Sequence, residues 1–213
     1  MMDLMIDLET MGLSVNAAII QIGAAMFDPY SKATGGQFTR NISLQSSLFN
    51  GGVMDTSTVQ WWLNQPRGTQ MTTESSCFPI HEVLEDLSNF IEAFEPEYIW
   101  ANGAADDLPW LKAAYENARK IVPWKHYQAQ DTRTLYRLAA AGGWDKPRRG
   151  SVAHVALDDA IGQVIDVQSA TAFLSSAFES RNRELNQFLS EIAEATESAS
   201  SPGAAAPTPN PEQ

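Results

Sequence analysis

The sequence predicts an α/β fold: a mixed β-sheet flanked by helices on both faces. Two observations carry this. Three strand-like segments follow one another at the N-terminus, ahead of any long helical pattern. A further buried strand, EYIWA, is then set among segments of helical period. Strands first in a run and then alternating with helices imply a layered mixed sheet.

Met2 to Leu8 is a short apolar run that ends in carboxylates and reads as a strand. Ala17 to Phe27 (AAIIQIGAAMF) is a second strand, followed by a turn at Asp28-Pro29-Tyr30-Ser31. Gln37 to Ser43 alternates with period two and reads as a third. Asp55-Thr56-Ser57-Thr58 offers caps for a short helix, VQWWLNQ, closed by Pro66. Arg67 to Cys77 is polar and aperiodic, so a loop is expected. Ile80 to Phe94 repeats Val83, Leu84, Leu87, Phe90, Ile91 and Phe94 at helical spacing.

After the strand Glu97–Ala101, a helix is expected over Leu108–Lys120 and an extended segment over Val122–Gln128. Thr132–Ala141 is helical and stops at Gly142-Gly143. DKPRRGS, from Asp145, is a basic loop. Two more helices are expected, Ala156–Phe178 and an amphipathic one around Glu184–Glu194. From Ser198 the chain carries four prolines, little bulk and no periodicity, which describes a disordered tether. The expected organisation is thus a domain over 1–178, a C-terminal helix over 179–197 and a disordered tail over 198–213.

Hydrophobic residues make up 44% and charged residues 19%, the balance of an ordinary globular protein. The single cysteine, Cys77, excludes an internal disulfide or a thiolate zinc site and fits a reducing compartment. No apolar run approaches the roughly 20 residues that span a bilayer. Asp3 and Asp7 stand where a signal peptide would carry lysines, so no signal peptide and no membrane association are expected. The net charge of −12 argues against broad electrostatic affinity for nucleic acid. It leaves room for an enzyme that meets a polyanion through bound cations.

Asp7 and Glu9 lie one residue apart on a strand, so their side chains share a face. Paired carboxylates repel unless a cation lies between them, or unless the strand end is already solvated. A second cluster, WANGAADDLPWL, places Asp106 and Asp107 at a helix start, where acids also serve simply as complements to the helix dipole. The third, HVALDDA, puts His154 ahead of a helix whose first turn holds Asp158 and Asp159. Each has an ordinary structural explanation. Together they supply four carboxylates and a histidine, the groups that two-metal phosphodiester hydrolysis requires.

In these motifs, IDLET, NGAADDLPWL and HVALDDA, the chain resembles the DEDDh-type 3′→5′ exonucleases of the RNase H-like superfamily, over about Met2 to Ala172. The branch most resembled is that of the phage and prophage enzymes labelled exodeoxyribonuclease VIII-like; small bacterial exoribonucleases form a related branch. The resemblance implies a metal-dependent exonuclease that removes nucleoside monophosphates from the 3′ end of single-stranded nucleic acid, DNA ahead of RNA. It implies two Mg²⁺ ions per site, with Mn²⁺ able to substitute. It also implies a cytoplasmic setting in a bacterial or phage-infected cell, and pairing into a homodimer, as in many relatives. Carried over by position, Asp7, Glu9, Asp107 and Asp159 are the metal ligands and His154 the general base. The phage-type pattern Asn-Gly-x-x-Phe-Asp, with Leu four residues on, selects Asp107 through Asn102 and Leu111. It leaves Asp106 in the usual Phe position, whereas a spacing one residue shorter selects Asp106. His-x4-Asp spacing selects Asp159 over Asp158.

The resemblance assigns Thr10 and Met11 to the terminal nucleotide; Met11 is equally explained as core. Trp61 and Trp62 diverge by about 100° on a helix, so one can face the core and the other the cleft. Trp62 is taken as the substrate-facing candidate, with core packing the alternative. Asn102 either holds its turn or reaches the substrate backbone. Asp131 is sufficiently explained as a helix cap. Arg148 and Arg149, with Lys146, crowd the loop before His154 and are the candidates for clamping the strand backbone. No G-x-x-x-x-G-K-S/T loop supports a nucleoside-triphosphate site. A non-catalytic binding module is disfavoured because all five expected residues are present.

Overall fold

The structure, a computed structural model, describes residues 2–65, 76–103, 105–147 and 154–200, with side chains through 194. Arg148, Arg149 and the tail from 201 lie outside the described residues. Five strands form one sheet: β1 (Asp3–Thr10), β2 (Ile19–Phe27), β3 (Thr34–Asn41), β4 (Ile99–Ala101) and β5 (Ala129–Asp131). Their order is β3-β2-β1-β4-β5. The β1–β2 and β2–β3 pairs are antiparallel, and β1–β4 and β4–β5 are parallel. The helices are α1 (Leu44–Phe49), α2 (Thr56–Leu63), α3 (Ile80–Phe94), α4 (Asp107–Asn117), α5 (Thr132–Ala141) and α6 (Ala156–Ser200).

The alternation of β1 decides which layer each face meets. Leu4, Ile6 and Leu8 enter a core with Val83, Leu84 and Leu87 of α3 and Leu108 and Leu111 of α4. Met5, of opposite parity, packs with Phe27 of β2 and with Ala160, Val164 and Val167 of α6. Each fully buried aliphatic side chain contributes ~1.5–3 kcal/mol. Asp7 and Glu9 share the parity of Met5, so the carboxylates point to the face that α6 covers. They stand at the C-terminal end of the central strand, where ligand sites of such sheets collect.

Two features hold the start of α6 against the sheet. Gly23 pairs with Asp7 in the β1–β2 register. A Cβ there would overlap the backbone of Ala156 and Leu157, so the missing side chain is what admits the helix. Gln21, opposite Glu9, accepts from the Ala156 N–H at 2.7 Å through its Oε1. That bond satisfies one of the helix's otherwise open N-terminal donors.

Several elements differ from those expected. β3 starts at Thr34 and includes Gly35-Gly36; at Gly36 the missing side chain leaves room for the Phe94 ring. α1 was not expected; Ser43 starts it by accepting from Ser46 N. The extended segment expected over 122–128 ends instead in a 3₁₀ turn, His126–Gln128, and the fifth strand follows it. α6 runs through the break expected near 179–183, where Glu-Ser-Arg-Asn-Arg contains neither Gly nor Pro. The chain divides into two compact units, residues 1–174 and 175–213. In the second, the described part of α6 leaves Phe178, Leu185, Phe188, Leu189 and Ile192 exposed. Among the described residues, no helix is long and apolar enough to cross a membrane.

Candidate active site

Three elements bring the four acids together. β1 supplies Asp7 and Glu9, the start of α4 supplies Asp107, and the first turn of α6 supplies Asp159. Glu9 and Asp107 are buried, and Asp7 and Asp159 are half-buried. His154 sits just before α6 at φ +68° and donates its backbone N–H to Asp159 Oδ2 at 2.8 Å. One ligand atom each from Glu9, His154 and Asp159 lies within 4.8 Å of the others.

Burial and mutual repulsion set the charge of this cluster. Burial first, then Asp107 and Glu9, raise the Asp7 carboxyl well above its ordinary range. Burial, then Asp159 and Asp107, push Glu9 up to about 8. Burial, then Asp106, push Asp107 up to about 7, against the opposing pull of the Leu8 backbone N–H and of Arg133. Carboxylates held this way are electrostatically incomplete, and a divalent cation is the group that would complete them. Oxygen donors with one imidazole suit Mg²⁺ or Mn²⁺. The donor set therefore fits a hard metal ion.

The remaining sequence candidates separate. Asp106 lines the cavity over Asp7 and Asp107 and pairs there with Arg133 Nη1 at 3.0 Å, while Asp158 is exposed. Asn102 lines the cavity over Asp7 and Asp107, and its Oδ1 accepts from Thr132 Oγ1 at 3.0 Å. Thr10 is buried; its hydroxyl donates to Gly12 O at 2.7 Å, and the residue lines a cavity of about 460 Å³ with Glu9, Trp61 and Trp110. Met11 is in the core with Ala18, Ile20 and Trp62, and its backbone N–H is taken by Ala18 O. Its burial is the core packing that was the alternative to a nucleotide contact. Trp62 is also mostly enclosed, 5% exposed, because its Nε1–H donates to Thr10 O at 2.9 Å. Trp61, at 41%, is the open member of the pair, and its ring meets the His154 ring edge-on at 4.6 Å. Thus the two tryptophans diverge as the helix geometry requires, Trp61 outward and Trp62 inward, and both line the cavity that holds Thr10 and Glu9.

Sequence reasoning missed Gln163, whose Nε2 donates to Asp7 Oδ1 at 2.6 Å. Its spacing of four from Asp159 was the available signal, since such pairs share a helix face. Arg133 carried no comparable signal.

Solved structures share this architecture. The nuclease domain of 3′hExo, a DEDDh family member bound to rAMP, matches with a TM-score of 0.53 at 13% identity, over 82% of this chain and 92% of that one. The zinc-ion-bound form of the E. coli ExoI–ssDNA complex matches with a TM-score of 0.60 at 13% identity, over 88% of this chain and 45% of that one. The fold is thus that of the RNase H-like exonucleases, although this chain spans less than half of Exonuclease I. No curated protein matches the sequence. Residues 2–171, which contain all five clustered side chains, match the model of the 3′-5′ exoribonuclease Rv2179c-like domain, and the chain belongs to that family of exonucleases.

Proposed function

We propose that the enzyme removes nucleoside 5′-monophosphates from the 3′ end of single-stranded nucleic acid, in a reaction dependent on divalent metal ions. The observation that carries this is the convergence of Asp7, Glu9, Asp107, Asp159 and His154 at one end of the central strand. The four carboxylates would hold the ions, two per site by resemblance to the DEDDh enzymes, with Mg²⁺ the natural metal and Mn²⁺ a substitute. Bound divalent ions would neutralise the phosphate and acidify water.

The chain's own residues then have distinct tasks. The His154 imidazole accepts the proton of the attacking water. The water oxygen joins phosphorus, the bond to the neighbouring nucleotide's 3′ oxygen breaks, and that oxygen takes a proton from solvent to become the new 3′-hydroxyl, while His154 returns its proton to solvent. The terminal base enters the cavity beside Thr10 and stacks on Trp61, which excludes water from the imidazole it touches. Asn102 holds the turn from which Asp107 starts. The resemblance read from the sequence pointed to DNA. The description of the matched family favours RNA, and RNA is taken as the substrate, with DNA the second reading.

Purified wild-type, Asp7→Ala and His154→Ala proteins should be compared on RNA and DNA oligonucleotides with Mg²⁺ and with EDTA. Both variants should lose at least ~100-fold in kcat while staying folded, and EDTA should abolish wild-type activity. Undiminished mononucleotide release by Asp7→Ala overturns the assignment.

A further inference from the structure

We infer that the substrate strand leaves the catalytic cavity across Arg133 and that its upstream nucleotides lie in a separate cavity walled by Leu108, Pro109 and Trp124, with Lys112 and His126 at its phosphates. The inference rests on the exonuclease reading above and gives the strand a direction over the surface.

Three cavities lie in a row. The first holds Trp61 and Thr10. The second, about 360 Å³, holds Asp7, Asp107 and Arg133, and shares Leu13 and Trp110 with the first. The third, about 330 Å³, begins at Gly103, beside Arg133. Each has the size of a small-ligand site.

Charge orders the row. The described lining of the first cavity contains no basic side chain. Arg133 lines the second, and Lys112 and His126 line the third. An end nucleotide has no phosphate beyond its own 3′-hydroxyl, so the cavity whose described lining holds Glu9 but no basic group suits the terminal base. Each nucleotide on the other side adds a phosphate, and the basic groups stand on that side only. In a chain of net charge −12 this placement matters, because the net field of the protein repels phosphate. Trp124, partly buried against the core, adds a ring face, and the strand's bases are the π-surfaces it would meet.

Arg133 is built for the crossing. Asp106 takes one N–H from Nη1 at 3.0 Å, and the guanidinium carries five in all. The side chain is 61% exposed, so the remaining donors are open to a phosphate. Gly103, at φ +139°, is where the backbone yields to it: a Cβ there would lie 2.9 Å from Arg133 Nη1. Asp106, which replaces the Phe of the phage-type pattern, is thereby explained as the anchor of Arg133.

The test is a length series: RNA oligonucleotides of two to seven residues, with a matched DNA series, on wild-type, Arg133→Ala, Arg133→Lys and Lys112→Ala enzymes. Arg133→Ala should raise KM about tenfold for every length, with Arg133→Lys recovering part of it. Lys112→Ala should leave the dinucleotide KM unchanged and raise KM only once the strand is long enough to reach it. Each loss should also flatten the slope of log(kcat/KM) against log[salt] by about 0.7. The same thresholds in RNA and DNA are expected, since the contacts are to phosphate. A Lys112→Ala penalty that is the same at every length, or absent at every length, or salt slopes unchanged in both alanine variants, overturns the track alone. A wild-type enzyme that shortens no strand overturns the exonuclease reading and the track with it.

Discussion

The side-chain amide of Gln163 donates to Asp7 Oδ1 at 2.6 Å, across 156 residues of chain. Gln163 stands one turn after Asp159, so a single face of α6 addresses both Asp7 and the Glu9–His154 pair. Its Oε1 is buried with no partner among the described residues, so the amide is oriented by this one bond. Replacing Gln163 with Leu should leave Asp7 free to rotate. Outer hydrogen bonds of this kind are worth ~10–100-fold in metal affinity or activity. Calorimetric Mn²⁺ titration should show that loss in affinity, with kcat falling in parallel; unaltered Mn²⁺ affinity would show that Asp7 is positioned by other groups.

The acid cluster gives the metal-free protein an unusual pH dependence. Glu9 is pushed to about 8 from 4.5 and Asp107 to about 7 from 3.8. Between about pH 4 and 8 the native state therefore holds protons that the unfolded chain has released. Raised carboxyl pKa values favour the native state at low pH, and stability is lost as pH rises through the native values. In EDTA, the urea midpoint should fall from pH 5 to pH 8 by an amount worth a few kcal/mol. Saturating Mg²⁺ should abolish or reverse the trend, because the ion binds the deprotonated carboxylates of the native state alone. A midpoint that climbs with pH in EDTA contradicts this.

The neighbouring tryptophans should respond in opposite ways. Trp62→Phe removes the Nε1–H···O=C bond to Thr10 from a buried site and should cost about 1–3 kcal/mol of stability. Trp61→Ala should change stability little and raise KM about tenfold, in keeping with ~1–3 kcal/mol per stacked base. Thermal melts and Michaelis–Menten curves on one oligonucleotide separate the two effects. Equal KM changes with equal losses of stability would remove Trp61 from the substrate site.

Gly23→Ala tests how α6 is seated. The added methyl collides with the backbone of Ala156 and Leu157, which cannot yield as a flexible side chain does. Overpacking of this sort costs about 1–3 kcal/mol or more. Displacement of α6 would carry Asp159 and Gln163 from Glu9 and Asp7. Activity should fall further than stability; a fully active variant would show that α6 tolerates the shift.

Much of this was legible in the sequence, and the illegible parts have physical causes. Period-two alternation placed Asp7 and Glu9 opposite Leu4, Ile6 and Leu8, and the helical repeat of Ile80–Phe94 reproduced α3 to its ends. β5 is three residues long and carries no period to read. The burial of Trp62 rather than Trp61 depends on where Thr10 O lies, which is a tertiary matter. Gly23 and Gln21 looked like ordinary strand residues because their partner, Ala156, is more than a hundred residues away. Arg133 acquires meaning only when Gly103 and Asp106 are brought beside it.

The most direct measurement follows a single-stranded RNA carrying a 5′ label, with Mg²⁺, beside the same strand blocked at its 3′-hydroxyl. The account predicts a ladder that shortens one nucleotide at a time from the 3′ end, protection of the blocked strand, and no ladder in EDTA. Immediate release of the 5′ label as a mononucleotide, or equal degradation of the blocked strand, would contradict it.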